Sequence, residues 1–403
     1  MLLAVLLLAH LSAVRAGNMV IEVSGAEAAS LVGAPASARA DLTDLLGKGV
    51  GPARLRLTES DAAGQPVAEP IPVQFEAADA GGLTGTLWWL MPPGDKDLRR
   101  FKVIVADSEA APALKITTAG SKQYFDVAEG DVPVLRYNQG TVPVPAGIDP
   151  KYARGDYIQP LIGLNGEVLT DDYPKDHPHH RGVGWSWPAT RWKDEVRDIW
   201  AVVGVWARPV AVRRVAGGPV MAVLEAENVW KWGDKEAIVR EDVALRVFRH
   251  GALGRFVDVE VRLTALADGV AIGGRPHGGY GGFGMRAAPV ENQVITSHTD
   301  DEAVNPRRSW LDYSGVFAGG KGTAGVAIFE HPTNPGYPNT LLQYPSLNYV
   351  MPAFPGEREV PLSKDTPLVL RHRLWIHAGN ADETTLANVW AAYGQPPTVV
   401  FVP

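Results

Sequence analysis

The stretch RFVDVEVRL, residues 255–263, decides the fold class. Val257, Val259, Val261 and Leu263 fall on one face of an extended chain, and Asp258, Glu260 and Arg262 on the other. That is the period of a strand with one face in a core and one face polar, as in antiparallel sheets. DVALRVFRH (242–250), WAVVGVWARPVAVRRV (200–215) and LVLRHRLWIHAG (368–379) repeat it at short spacing, with few helices between. The expectation is an all-β protein built on a large antiparallel β-sandwich over residues 111–403, with a supersandwich or mutarotase-like arrangement as one option. One helix is expected in DETTLANVWAAYG (382–394). There Leu386, Val389, Trp390 and Tyr393 share a face, and Gly394 can end the helix.

Ahead of this, residues 20–110 read as a small Ig-like β domain. ARLRLTES (53–60) and RRFKVIVAD (99–107) alternate, and DAAGQP, ADAGG and PPGDKD supply turns. Residues 1–16, MLLAVLLLAHLSAVRA, read as a secretory signal: the apolar run is too short to span a bilayer, and Val14 and Ala16 suit cleavage. No later run reaches the roughly 18 apolar residues a membrane helix needs. The protein is therefore expected to be exported, periplasmic or extracellular, without an integral membrane span after the signal. A net charge of −7 argues against a nucleic-acid partner. With no cysteine, disulfides, thiolate nucleophiles and sulfur-ligated metals are excluded.

The chemistry concentrates in DYPKDHPHHRGVGWSW (172–187), which holds His177, His179 and His180 within four residues. If these residues are extended, His177 and His179 share a face and His180 points away. Three readings follow. His177 and His179 could supply two ligands to a divalent metal such as zinc, manganese or calcium, with Asp176, His331 or His377 as a third. One histidine could act without metal as general base or acid, oriented by Asp172 or Asp176. The imidazoles could also simply satisfy the backbone of a proline-rich loop. Trp185, Trp187, Trp192 and Trp200 follow closely; Trp185 is a candidate to stack on a sugar, against core packing as the plainer account.

Two further segments carry candidates. GGRPHGGYGGFGMR (273–286) has seven glycines but no strand–turn–helix context, so it is not a dinucleotide fingerprint. Its glycines let a strand bend or pass close to a neighbour, presenting Tyr280 and Arg286. GVAIFEHPTNP (325–335) ends a strand on Glu330 and His331, a common way to present acid and base groups. Arg371, Arg373, Trp375 and His377 fall on one strand face.

The run YIQPLIGLNGEVLTDDYPKDHPHHRGVGW (157–185), with YGGFGMR, WLDYSG and GVAIFEHPTNP, resembles the bacterial "methane oxygenase PmoA" family, over nearly the whole mature chain. The resemblance implies an exported β-sandwich of glycan-degrading bacteria. Its matched polar positions are Asp176, His177, His179, His180, Arg181, Tyr280, Arg286, Glu330, His331 and Asn334. Glu330 stands where that family often has Asp, and the segment after Pro335 departs from its pattern.

The functional expectation is an enzyme that cleaves a glycosidic bond, by β-elimination or hydrolysis. His179 or His180 is the base, with Glu330 or His331 as acid and Tyr280 beside them. Arg181, Arg286, Trp185, Asn334 and His377 line the carbohydrate. The rival is a glycan-binding protein with structural histidines. The sequence sets neither the sugar nor the oligomeric state.

Overall fold

The structure, a computed structural model, describes residues 19–25, 32–46, 50–79, 81–94, 97–118 and 124–402; the expected signal at residues 1–16 lies outside them. The described strands form five sheets, and nearly all regular structure is β. The strand Arg255–Ala265 sits inside an eight-stranded sheet, paired with Glu236–Phe248 on one edge and Leu368–Ala378 on the other. Val257, Val259, Val261 and Leu263 are at most 1% exposed. They pack against a second eight-stranded sheet that contains Tyr157–Leu161, Val183–Ser186, Gly282–Arg286 and Tyr349–Ala353. Two sheets closing on one apolar layer is the expected sandwich.

The outer face of the first sheet is stitched by cross-strand ion pairs. Arg373 holds Asp258 at 2.5 Å, and Arg371 holds Glu260 at 2.8 Å. One end of that face is covered by the helix Glu383–Gly394. Its N-cap, Asp382, accepts from the Thr385 amide, and Leu386, Val389 and Trp390 bury beside Trp310, Phe329 and Trp375. Gly394 is the last helical residue, and Gln395 caps the end instead.

The described residues between 19 and 105 form a small sandwich of a five- and a three-stranded sheet. Leu55, Leu57, Phe101 and Val103 point inward as their alternation requires. Its five-stranded sheet is completed by the end of the chain: Thr398–Val402 pairs with Val20–Ser24. Glu76 anchors it to the large sheet through Arg214 and Arg246. Among the described residues, no helix is long and apolar enough to cross a membrane.

Candidate functional site

The histidines lie in a turn, not on a strand. His180 N–H donates to the His177 carbonyl at 2.9 Å, with Pro178 in the second position, where its fixed φ suits a β-turn. The expected alternation of faces is therefore replaced. His177 and His180 stack at 4.7 Å with their planes 12° apart, and His179 stands edge-on to His180 at 4.6 Å.

This turn rests on the outer face of the second large sheet. His180 packs on Tyr349 at 4.7 Å and edge-on to Trp200 at 5.7 Å; Tyr280 closes the aromatic patch 5.5 Å from Trp200. Glycine makes room for the patch: a Cβ at Gly284 would stand 2.4 Å from the Tyr349 hydroxyl. That close approach is the use to which the glycine-rich run is put. Arg154, Tyr157, His179, His180, Arg181, Trp200 and Tyr349 line a crevice whose enclosed part is only about 20 Å³, so a ligand would lie across it.

Charge is organised around the turn. Arg286 donates to Asp176 at 3.0 Å, and Asp176 meets His177 Nδ1 at 3.1 Å. Burial opposes ionisation of Asp176, but hydrogen bonds from His177 and Arg286 and the charge of Arg286 outweigh it and hold its carboxyl down at about 2. Arg286 Nη1 also lies 3.4 Å from His180 Nδ1. A guanidinium can only donate, so Nδ1 accepts and Nε2 carries the proton. Arg181 lies against Tyr173, hydrogen-bonds its hydroxyl, and sits 3.1 Å from Asp172. Burial pushes Asp172 up to about 6, despite the Arg181 charge.

Both inner histidines are neutral at pH 7. Burial, then the charges of His177 and Arg154, bring His179 down to about 4. Burial, then His179, His177 and Arg286, bring His180 down to about 2. Among the described residues, neither ring nitrogen of His179 hydrogen-bonds to protein.

The structure gathers His177, His179, His180, Arg181, Arg286 and Tyr280, but places the other candidates elsewhere. Trp185 is 2% exposed on the core side of its strand, stacked on Phe283 and donating to Glu241, so it offers no face to a sugar. Glu330 lies buried under the loop that follows it, accepting from the amide and side chain of Asn339. Asn334 exchanges two hydrogen bonds with the Arg371 backbone, a loop anchor. His377 is buried against Asp312 at 3.0 Å.

His331 opens on a different cleft of about 970 Å³, between the small sandwich and the first large sheet. Arg371, Arg373 and Arg246 in this cleft are paired with Glu260, Asp258 and Glu76, while Arg39 on its wall forms no ion pair among the described residues. For a metal, His177 and His179 lack a third ligand. Among the described residues no group of three or more His, Asp or Glu side chains is arranged to hold an ion.

Residues 124–391 match the family model described as "Family of unknown function (DUF6807)". The chain belongs to this family. The match runs across the histidine turn, the glycine-rich run and the Glu330 segment, and it leaves out the small N-terminal sandwich. It overturns the resemblance to the methane oxygenase PmoA family: the matching model is this other one, whose function is unassigned. No curated protein matches the chain.

Two parts of the site escaped the sequence reading. Arg154 and Tyr349 sit in segments with no motif, and contact alone reveals them. Asp156 and Glu241 form a buried carboxyl pair behind the crevice. Glu241 left a trace: in Val239-x-Glu241-x-Val243-x-Leu245 a carboxylate occupies an inward position.

Proposed function

We propose that this DUF6807 chain is an exported enzyme that cleaves a glycosidic bond of an acidic polysaccharide by β-elimination at the histidine turn. The observation that carries the reading is the neutral, unpartnered His179 among three guanidinium groups, in a crevice with no carboxylate among its lining residues. Hydrolysis ordinarily needs two carboxylates flanking the bond. Elimination needs a neutral base, a proton donor and a cation that neutralises the uronate. His179 removes the proton from C5 of the uronate. The C5–H bonding pair becomes the second bond between C4 and C5, the C4–O bond breaks with its pair on oxygen, and the departing oxygen takes the proton of the Tyr349 hydroxyl. His180, fixed as the Nε2–H tautomer by Arg286, donates a hydrogen bond to the sugar. The substrate carboxylate raises the pKa of His179 by its charge and makes it a stronger base. The apolar opening stretch of the chain supports export.

The shallow crevice and the ring cluster of Trp200, Tyr280 and Tyr349 favour a second reading, a sugar-binding protein without turnover. Incubation with uronate-containing polysaccharides, followed by ultraviolet absorbance of the unsaturated product, separates the two. Product formed by the native chain and lost in His179→Ala supports elimination. Binding without product supports the second reading, and cleavage without the chromophore supports hydrolysis.

A further inference from the structure

Three arginines surround the histidine turn, and two already have a carboxylate. Arg181 has Asp172 at 3.1 Å, and Arg286 has Asp176 at 3.0 Å. Arg154 differs. Its hydrogen bonds run to the carbonyls of Gly155 at 3.4 Å and Trp200 at 3.5 Å, and among the described residues it forms no ion pair. It is nonetheless 8% exposed. A buried guanidinium without a counter-ion is costly, so its charge must be answered from nearby.

The answer stands behind it. Asp156 and Glu241 are buried and hydrogen-bonded to each other. Two touching carboxyls do not both ionise, and burial pushes both pKa values up, so the pair holds at least one proton. Trp185 donates to Glu241 at 2.7 Å and Trp230 donates to it as well, while Tyr137 and Asn228 each donate to Asp156 at 2.9 Å. These donors hold the pair in the core, where its charge acts in favour of the Arg154 guanidinium. On the other side, Arg154 shares the crevice wall with His179, His180, Trp200 and Tyr349.

We infer that Arg154 is the specificity-determining residue of this crevice: its guanidinium takes the carboxylate of an acidic sugar, while Asp156 and Glu241 hold it in place from behind. The inference rests on the proposed function, because it concerns the same crevice. A planar fork facing a carboxylate can form two parallel charge-assisted hydrogen bonds, which a neutral sugar cannot accept in kind.

The test titrates the full chain with galacturonate and glucuronate and with neutral galactose and glucose. Binding is followed by NMR for the native protein, Arg154→Gln and Arg154→Lys. The native chain is expected to prefer the uronates by about tenfold or more. Arg154→Gln should bring uronate binding down to the level of the neutral sugars. Arg154→Lys should lower the preference by about threefold, through loss of the fork, and it decides the matter if the Gln variant does not fold. A preference kept in Arg154→Gln, unchanged in Arg154→Lys, or lost in Arg181→Gln instead, overturns the assignment. Equal binding of all four sugars by the native chain overturns it too, while leaving the proposed function standing. Failure of the native chain to bind any of them, or a uronate oligosaccharide, overturns both.

Discussion

Trp185 Nε1 donates to Glu241 Oε1 at 2.7 Å, a bond that crosses from one large sheet to the other through the core. Glu241 also accepts from Trp230 and contacts Asp156, so one carboxyl satisfies two indoles and half of an acid pair. Glu241→Ala orphans all of these groups in a closed core and should cost about 3–5 kcal/mol in urea unfolding. Glu241→Gln keeps the shape and should cost less. An alanine variant within about 1 kcal/mol of the native chain would show that the network does not hold the sheets together.

Gly284→Ala tests the floor of the crevice. Gly284 has an ordinary φ, so the added methyl is not strained by its backbone, but it meets the Tyr349 hydroxyl at 2.4 Å. The ring must shift, and His180 packs on it at 4.7 Å. Overpacking of this kind costs about 1–3 kcal/mol. Sugar binding should be lost while the variant remains folded by circular dichroism. Retained binding would show that Tyr349 does not shape the ligand surface.

Strand periodicity made the sandwich legible because each strand needs only local alternation, as in Val257 to Leu263. The same period put His377 and Arg373 on one face, yet it carried no information on what covers that face. The histidine turn was legible as composition but not as geometry, since one hydrogen bond between His177 and His180 converts a strand pattern into a stack. Glu330 and His331 looked like a second half of the same site. Glu330 ends a strand of the other large sheet and His331 opens the loop after it, and no local rule reports which loops converge. Arg154 and Tyr349 meet only through long-range pairing, so no spacing announces them. Trp185 was misread for the opposite reason: one register step separates a core tryptophan from a surface one.

Glu330→Gln separates a loop anchor from an acid. The carboxylate accepts from Asn339 N at 3.1 Å and from Asn339 Nδ2 at 2.9 Å, under the loop of residues 331–339. Burial pushes its pKa up, against those hydrogen bonds. The amide keeps one acceptor, so a loss of about 1–3 kcal/mol and faster proteolysis within the loop are expected. Polysaccharide turnover and sugar binding should be unchanged. A fall in turnover with stability intact would restore Glu330 as the proton donor.

His372→Phe tests how acid unfolds the sandwich. His372 is 2% exposed, lies parallel to Phe283 at 4.1 Å, and its Nδ1 has no hydrogen-bond partner. Burial brings its pKa down to about 3 from the ordinary 6.5. Between those values the unfolded chain binds a proton that the folded chain refuses, so stability is full above pH 6.5 and drains as the pH falls toward 3. His179 and His180 add to this loss in the same direction, and Asp172, whose pKa is raised to about 6, works against it. Phenylalanine keeps the stack, removes the orphaned nitrogen and has no proton to bind. Melting temperatures measured from pH 7 to pH 4 should therefore fall less steeply in the variant, with the gap widening as the pH drops. Parallel curves would mean that His372 takes up its proton without unfolding the core, and would assign the acid sensitivity to the histidine turn instead.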